Sequence, residues 1–450
     1  MKKSFLLLVS LCALAMSSAF AQNEKQSVES VKIAGNGSVS STFTGAVDYD
    51  AYFTSERLRL DFVLAGDRNS QYAFLSELHK ESQWAGSPNG LIDPFGYGQY
   101  YFEAFADGKL IYSKGFCTLF EEWRATEQAK NVAMAVNQTI WMPFPKQTVH
   151  VVLYQRIKKT GMLEPFFECD VDPTDRHIIP GAENDFKVVP LMVNGDYAHK
   201  VDLVFCGEGY TADKMDKLHA DAERFINYLF TMEPYKSRKN DFNVWLVESI
   251  SEEAGTDIPN WGQWRKTILN SSFDTFYQDR YLTIQDHRKI ASVFSGAPFD
   301  CIFIIADETK YGGGGIYYSY AMGTSDDAYA NEVFIHEFGH SFAGLGDEYF
   351  YDDEVLEDYY PSNVEPWEPN ISTLADFSKK WEDMVEKDLP IPTPNDRSYM
   401  GHVGVFEGAG YTSKGCYRGY YDCRMQTNTA PGFCPICQKA INEMIDFYVK

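Results

Sequence analysis

His336-Glu337-Phe338-Gly339-His340 places two histidines four residues apart with a glutamate between them. On a helix, residues i and i+4 share one face a turn apart, so both imidazoles can reach a single ion. Glu337 then lies beside that ion, where it can take a proton from an activated water. This HExxH set is the core of a zinc-dependent hydrolase, usually a peptidase. With nine histidines in 450 residues, only about 0.01 such matches arise by chance.

A catalytic zinc needs a third protein ligand. The chain continues Ser341-Phe342-Ala343-Gly344-Leu345-Gly346-Asp347-Glu348-Tyr349. Metzincins run HExxHxxGxxH, with the glycine turning the chain back toward the metal. Here glycine and ligand each come one position late, and the ligand is an acid. Asp347 is the first choice and Glu348 the second. Glu354 or Glu357 on a following helix would serve as in thermolysin-like enzymes, but the prolines downstream weaken that helix. Tyr349, Tyr420 and His402 are the nearby candidates for steadying an oxyanion.

These residues need a rigid helix. Phe334, Phe338 and Phe342 recur at four-residue spacing and form an apolar stripe beside the histidines. Thr324-Ser325-Asp326-Asp327 supplies N-cap formers and first-turn acids, and Gly344 or Gly346 supplies a stop. Upstream, 201–205, 242–247 and 302–305 read as strands and 212–230 as an amphipathic helix, an α/β pattern. The Gly312–Gly315 run reads as a cleft-edge strand for an extended peptide, or else a lid or plain loop. Gly207-Glu208-Gly209-Tyr210-Thr211-Ala212 mimics a dinucleotide fingerprint. Its acid would oppose a pyrophosphate, so it reads as a tight strand-to-helix turn.

The first part of the chain differs. Residues 58–64 alternate apolar and polar side chains, 100–105 and 110–112 form a hairpin about Asp107-Gly108, and 149–154 is another strand. A β-sandwich over 22–175 is expected, then a connector at 176–195 and a catalytic domain over 196–450. Six prolines in 361–397 suggest a surface insertion after the site.

Residues 1–21 read as a signal peptide, with Lys2-Lys3, an apolar core and an A-x-A site at Ala19-Phe20-Ala21. Leu11 before Cys12 is a poor lipoprotein site. The expected product is exported, to periplasm, cell surface or medium, with no membrane span. The formal charge of −24 becomes more negative once the two lysines leave, and it disfavours nucleic acid and anionic lipid as partners. At 15% aromatic and 44% hydrophobic residues, the chain forms packed cores rather than disorder. Eight cysteines remain after cleavage. Cys434-Pro435-Ile436-Cys437, with Cys416 and Cys423, is expected to form local disulfides or buried thiols rather than a second zinc site.

HEFGHSFAGLGDEY, Phe205 to Thr211, Tyr311 to Ile316 and the tail Tyr417 to Cys437 together resemble the IgA peptidase family, metallopeptidase family 64, a group of bacterial zinc endopeptidases. Trp84-Ala85-Gly86, Tyr112 to Phe116 and Phe120-Glu121-Glu122-Trp123 are similar to that family's N-terminal β-domain. The resemblance implies a two-domain α+β chain with a metzincin-like α/β zinc peptidase domain. One catalytic Zn2+ would be held by His336, His340 and an acid of the Gly-Asp-Glu-Tyr segment, with Glu337 as base. A methionine would lie beneath the metal, for which Met425 suits better than Met400. Protein or peptide substrates in extended conformation are expected, drawn from immunoglobulin or other host or dietary glycoproteins, but the resemblance does not carry over the immunoglobulin substrate. The competing classes are a surface adhesion protein using the fold as scaffold, and a zinc-dependent cell-wall amidase.

Overall fold

The computed structural model describes residues 46–351 and 359–450. Residues 1–21, expected as a signal peptide, and Glu354 and Glu357, lie outside the described residues.

The first domain is β-rich. Its strands are β1 (Phe53–Gly66), β2 (Gln71–Glu81), β3 (Tyr100–Ala106), β4 (Lys109–Phe116), β5 (Met134–Pro145), β6 (Val149–Arg156), β7 (Leu163–Val171) and the short β8 (Ile179–Pro180). They form two four-stranded sheets, ordered β5-β1-β2-β8 and β4-β3-β6-β7. Leu58, Leu60 and Phe62 of β1 share one core with Phe102 of β3 and Val151 of β6, so the two sheets enclose it. The β3–β4 hairpin turns at Asp107 and Gly108, both at positive φ, as the Asp-Gly pair predicts. Helix α1 (Leu119–Arg124) follows β4, capped by the Thr118 side chain.

The alternation in β1 predicts a polar face turned to water. Instead that face is buried against the second domain. Arg57 and Arg59 are buried with Asp61 and Glu81, and Arg57 Nε lies 2.5 Å from Glu81 Oε2. Arg57 also donates to the Phe294 and Ala297 carbonyls. A polar face can be covered when every charge has a partner, so alternation alone does not distinguish an ion-paired interface from solvent.

In the second domain, β9 (Val188–Met192), β10 (Val201–Glu208), β11 (Phe242–Val247), β12 (Cys301–Ala306), β13 (Gly313–Ile316) and β14 (Tyr320–Thr324) form one sheet ordered β13-β14-β12-β10-β11-β9. Its four inner strands are parallel, and its two edge strands pair antiparallel. The stretch 176–195, expected as a connector, therefore contains β8 and the edge strand β9. Helix α2 (Met215–Leu229) follows β10 after a tight turn. Gly209 there has φ +73°, and a Cβ would meet the Gly255 carbonyl oxygen at 1.9 Å. Glu208 is committed to the protein, accepting hydrogen bonds from Thr267, Leu269 and Ser271.

Helix α3 (His287–Phe294) covers one face of the sheet. Helices α2, α4 (Ala330–Ala343) and α5 (Pro435–Val449) share the core on the other. Phe334 of α4 packs on Phe205, Phe225 and Phe303, with ring centroids 4.5 Å apart for Phe303. That contact locks α4 to the sheet and fixes its histidine face. Between α4 and α5 lie the short strands β15 (Phe350–Tyr351), β16 (Ile371–Ser372), β17 (Phe406–Ala409) and β18 (Tyr411–Arg418). The proline-rich stretch is not merely a surface insertion: Trp381 is 1% exposed, and its indole donates to the Gly404 carbonyl. Among the described residues no helix is long and apolar enough to cross a membrane.

Candidate metal centre

Helix α4 starts later than its sequence predicts. Thr324 ends β14, and the N-cap is Tyr329, without a side-chain cap. Asp327 instead accepts the Tyr329 N–H at 2.7 Å. The helix ends as expected, at Gly344 with φ +64°. Gly344 N–H bonds to the His340 carbonyl and Leu345 N–H to that of Gly339, a C-terminal turn that reverses the chain toward the histidines.

That reversal sets the imidazoles. His340 Nδ1 lies 2.5 Å from the Leu345 carbonyl oxygen, and His336 Nδ1 lies 3.0 Å from that of Arg424. A carbonyl only accepts, so both Nδ1 atoms carry a proton and both Nε2 atoms are left facing the space between the rings. The Nε2 atoms are 3.1 Å apart. Asp347 Oδ1 completes the triangle, 3.1 Å from His336 Nε2 and 3.3 Å from His340 Nε2. Asp347 is only 6% exposed, and this oxygen has no hydrogen-bond partner. Its Oδ2 accepts from the Tyr411 hydroxyl.

Three such atoms converging this closely need a proton or a metal cation among them. Ligands about 2.0–2.1 Å from a tetrahedral zinc are about 3.3 Å from each other, and the observed triangle has that size. Two neutral imidazoles and a carboxylate suit a borderline divalent ion. Burial lowers the basicity of His340, but the Asp347 carboxylate more than reverses this and carries it up to about 9. Burial works against the charge on Asp347 as well, yet the two imidazoles pull its carboxyl far below the usual range. Both shifts describe a pocket that attracts positive charge.

Glu337 borders this triangle, and burial raises its carboxyl above the ordinary range. Strand β13 runs against it. A Cβ on Gly315 would meet the Glu337 carbonyl oxygen at 2.3 Å, and one on Gly313 the Glu337 Cγ at 3.0 Å. On the other side, Gly312 and Gly314 lie against the backbone of Arg280 and Leu282, and Leu282 N–H donates to the Gly313 carbonyl. The glycine run, read from sequence as a cleft edge, is thus packed between helix and loop. Tyr281 of that loop donates to Glu122 of α1, so the first domain reaches the same neighbourhood. Burial pushes Glu122 up to about 7.

Of the two adjacent acids only Asp347 meets the histidines. Glu348 is 0% exposed and turns the other way, accepting from Asn370 Nδ2 at 2.9 Å and lying 3.1 Å from Cys437 Sγ. Met425 lies under α4, where a Cβ on Gly339 would meet its sulfur at 2.9 Å. Met400 is exposed. Of the three oxyanion candidates only Tyr349 contacts an imidazole, with its ring 6.3 Å from that of His336. His402 pairs with Glu386 at the surface, and Tyr420 packs against the core. Tyr411, the Arg424 carbonyl and Arg280, whose guanidinium lies 5.8 Å from the Tyr349 ring centre, had no sequence signal, because only the fold brings them here. Of the two outcomes expected for the C-terminal cysteines, disulfides or buried thiols, the structure has the second: all eight described cysteines are free, and Cys416, Cys423, Cys434 and Cys437 are buried.

Residues 189–399 and 395–445 match the model of the IgA Peptidase M64 family, and residues 48–167 match the Peptidase M64 N-terminus. No curated protein matches the chain significantly. These matches take in both domains and every residue of the triangle, so the chain belongs to the IgA peptidase M64 family and is a peptidase.

Proposed function

We propose that this chain is an exported, zinc-dependent endopeptidase with a metzincin-like site, in which His336, His340 and Asp347 hold the ion and Glu337 is the catalytic base. One observation carries the reading: two imidazole Nε2 atoms and a carboxylate oxygen converge at 3.1–3.3 Å beside Glu337. A bound zinc supplies Lewis-acid polarisation of the scissile carbonyl and acidifies water at the site. Glu337 takes the proton of the attacking water and hands it to the leaving amine, with no covalent intermediate on the chain. Burial brings the carboxyl closer to the basicity this transfer needs at neutral pH. The Arg424 and Leu345 carbonyls hold the imidazole tautomers, and Tyr411 holds the carboxylate.

Met425 beneath the helix and the glycine turn at Gly344 support the metzincin likeness. The A-x-A site at Ala19-Phe20-Ala21 supports export.

The test combines metal analysis with cleavage-site profiling on a proteome-derived peptide library, with and without chelator. Glu337→Gln is expected to keep its zinc and lose cleavage by about 10²–10⁴-fold, whereas full activity in that variant refutes the mechanism. Asp347→Ala is expected to lose zinc at this site; unchanged metal content moves the third ligand elsewhere.

A further inference from the structure

Three of the four C-terminal cysteines converge on the acid that the catalytic triangle leaves unused. Cys423, Cys434, Cys437 and Glu348 are all buried, and their donor atoms lie within 4.8 Å of one another. Cys423 Sγ is 3.7 Å from Cys437 Sγ, while Glu348 Oε1 is 3.1 Å from Cys437 Sγ and 4.0 Å from Cys434 Sγ. Around a tetrahedral zinc, with Zn–S about 2.3 Å and Zn–O about 2.0 Å, the sulfurs are about 3.7 Å apart and sulfur and oxygen about 3.5 Å. The observed separations scatter about those edges. Cys416 takes no part; it packs against Ile371 and Ala409.

A disulfide accounts for this cluster less well. The Cys423–Cys437 separation is far beyond a bond of about 2.05 Å. Pairing any two of the sulfurs would leave a third thiol beside a buried carboxylate whose Oε2 has no hydrogen-bond partner. Such a carboxylate, fully enclosed, requires either a proton or a cation. The local chain also suits a thiolate cluster. Cys434 is the N-cap of α5, a 15-residue helix, so its positive end faces the sulfurs. Cys434 N–H lies 3.2 Å from Cys423 Sγ, and Asn370 anchors Glu348.

We propose that Glu348, Cys423, Cys434 and Cys437 bind a second zinc ion, four-coordinate and closed to solvent, that fixes the segments carrying Asp347 and Arg424. As the ion enters, each thiol releases its proton to solvent and no redox change is involved. Three thiolates and a carboxylate without an open position make a structural site. Its leverage follows from the chain. Glu348 is next to Asp347, and Cys423 is next to Arg424, whose carbonyl holds His336. Anchoring both neighbours aims a metal ligand and a tautomer-setting carbonyl at the first site. The inference stands apart from the proposed activity, because its readouts are metal content and spectra.

The experiment uses the full chain carrying His336→Ala and His340→Ala, which empties the first site. It is expected to retain one zinc per chain by elemental analysis, and adding Cys437→Ala is expected to remove it. To guard against misfolding of the variants, the unaltered chain is loaded with Co2+. A thiolate-to-cobalt charge-transfer band in the near ultraviolet is then expected, since the His-His-Asp site contains no sulfur. A zinc-free double variant, a cobalt-loaded chain without that band, or an unreduced mass showing a disulfide among the three cysteines would overturn the proposal.

Discussion

Gly315→Ala tests whether the close approach of β13 to α4 positions the site. The added Cβ would lie 2.3 Å from the Glu337 carbonyl oxygen and 2.9 Å from His340 Cβ. Ordinary contact begins near 3.4 Å, so helix and strand must part by roughly 1 Å, the scale at which misplaced catalytic groups lose about 10²-fold in rate. Both obstacles are hard to move, being helix backbone and the root of an imidazole. Overpacking of this kind also costs about 1–3 kcal/mol of stability. Gly323→Ala on the adjoining β14 is the internal control. Its Cβ would meet nothing closer than 3.5 Å, so near-normal activity is expected. The assay is kcat/KM on a peptide drawn from the profiling library, with urea midpoints to separate misplacement from unfolding. Activity of Gly315→Ala within about threefold of the unaltered chain, or equal damage from Gly323→Ala, would refute the positioning argument.

Two further predictions come from groups outside the triangle. Tyr411→Phe leaves Asp347 Oδ2 without its donor. The expected loss is about 10–100-fold in zinc affinity or activity, measured by competition with a metal indicator; unchanged affinity would show that Tyr411 only fills space. His287 is buried, with Nε2 2.6 Å from Ser319 Oγ, and burial holds its basicity down to about 4. Below the unfolded-state value of about 6.5 the unfolded chain binds a proton that the folded chain refuses, so stability falls as pH drops toward 4. The loss reaches about 3 kcal/mol. Urea midpoints of His287→Gln between pH 7 and 4.5 are expected to fall less than those of the unaltered chain, and an equal fall would assign the acid lability elsewhere.

The sheet strands and α4 were legible because each is governed by local periodicity. The reading of 302–305 as a strand and of Phe334, Phe338 and Phe342 as a buried stripe needed only the residues themselves. What escaped was decided by distant partners. The polar side of β1 looks solvated until Phe294, Ala297 and Phe299 of the second domain cover it. The glycine run looks like a free edge until the Arg280–Leu282 loop closes on it. In both cases composition correctly signalled a special surface, but nothing within a few residues could say what lay against it.

The choice between Asp347 and Glu348 shows the same limit at its narrowest. Both are acids one position apart, and spacing from His340 admits either. After Gly344 the chain sends successive side chains to opposite sides, as an extended segment does. Asp347 and Tyr349 therefore face the histidines, and Glu348 faces away. Which acid takes which side depends on what waits there. A carboxylate sent toward the core needs partners, and Asn370, Cys434 and Cys437, from 22 to 89 residues along the chain, are those partners. Loss of the three cysteines would thus remove more than a buried cluster. It would leave Glu348 with a charge it cannot bury and with reason to compete for the place beside the histidines that Asp347 now holds.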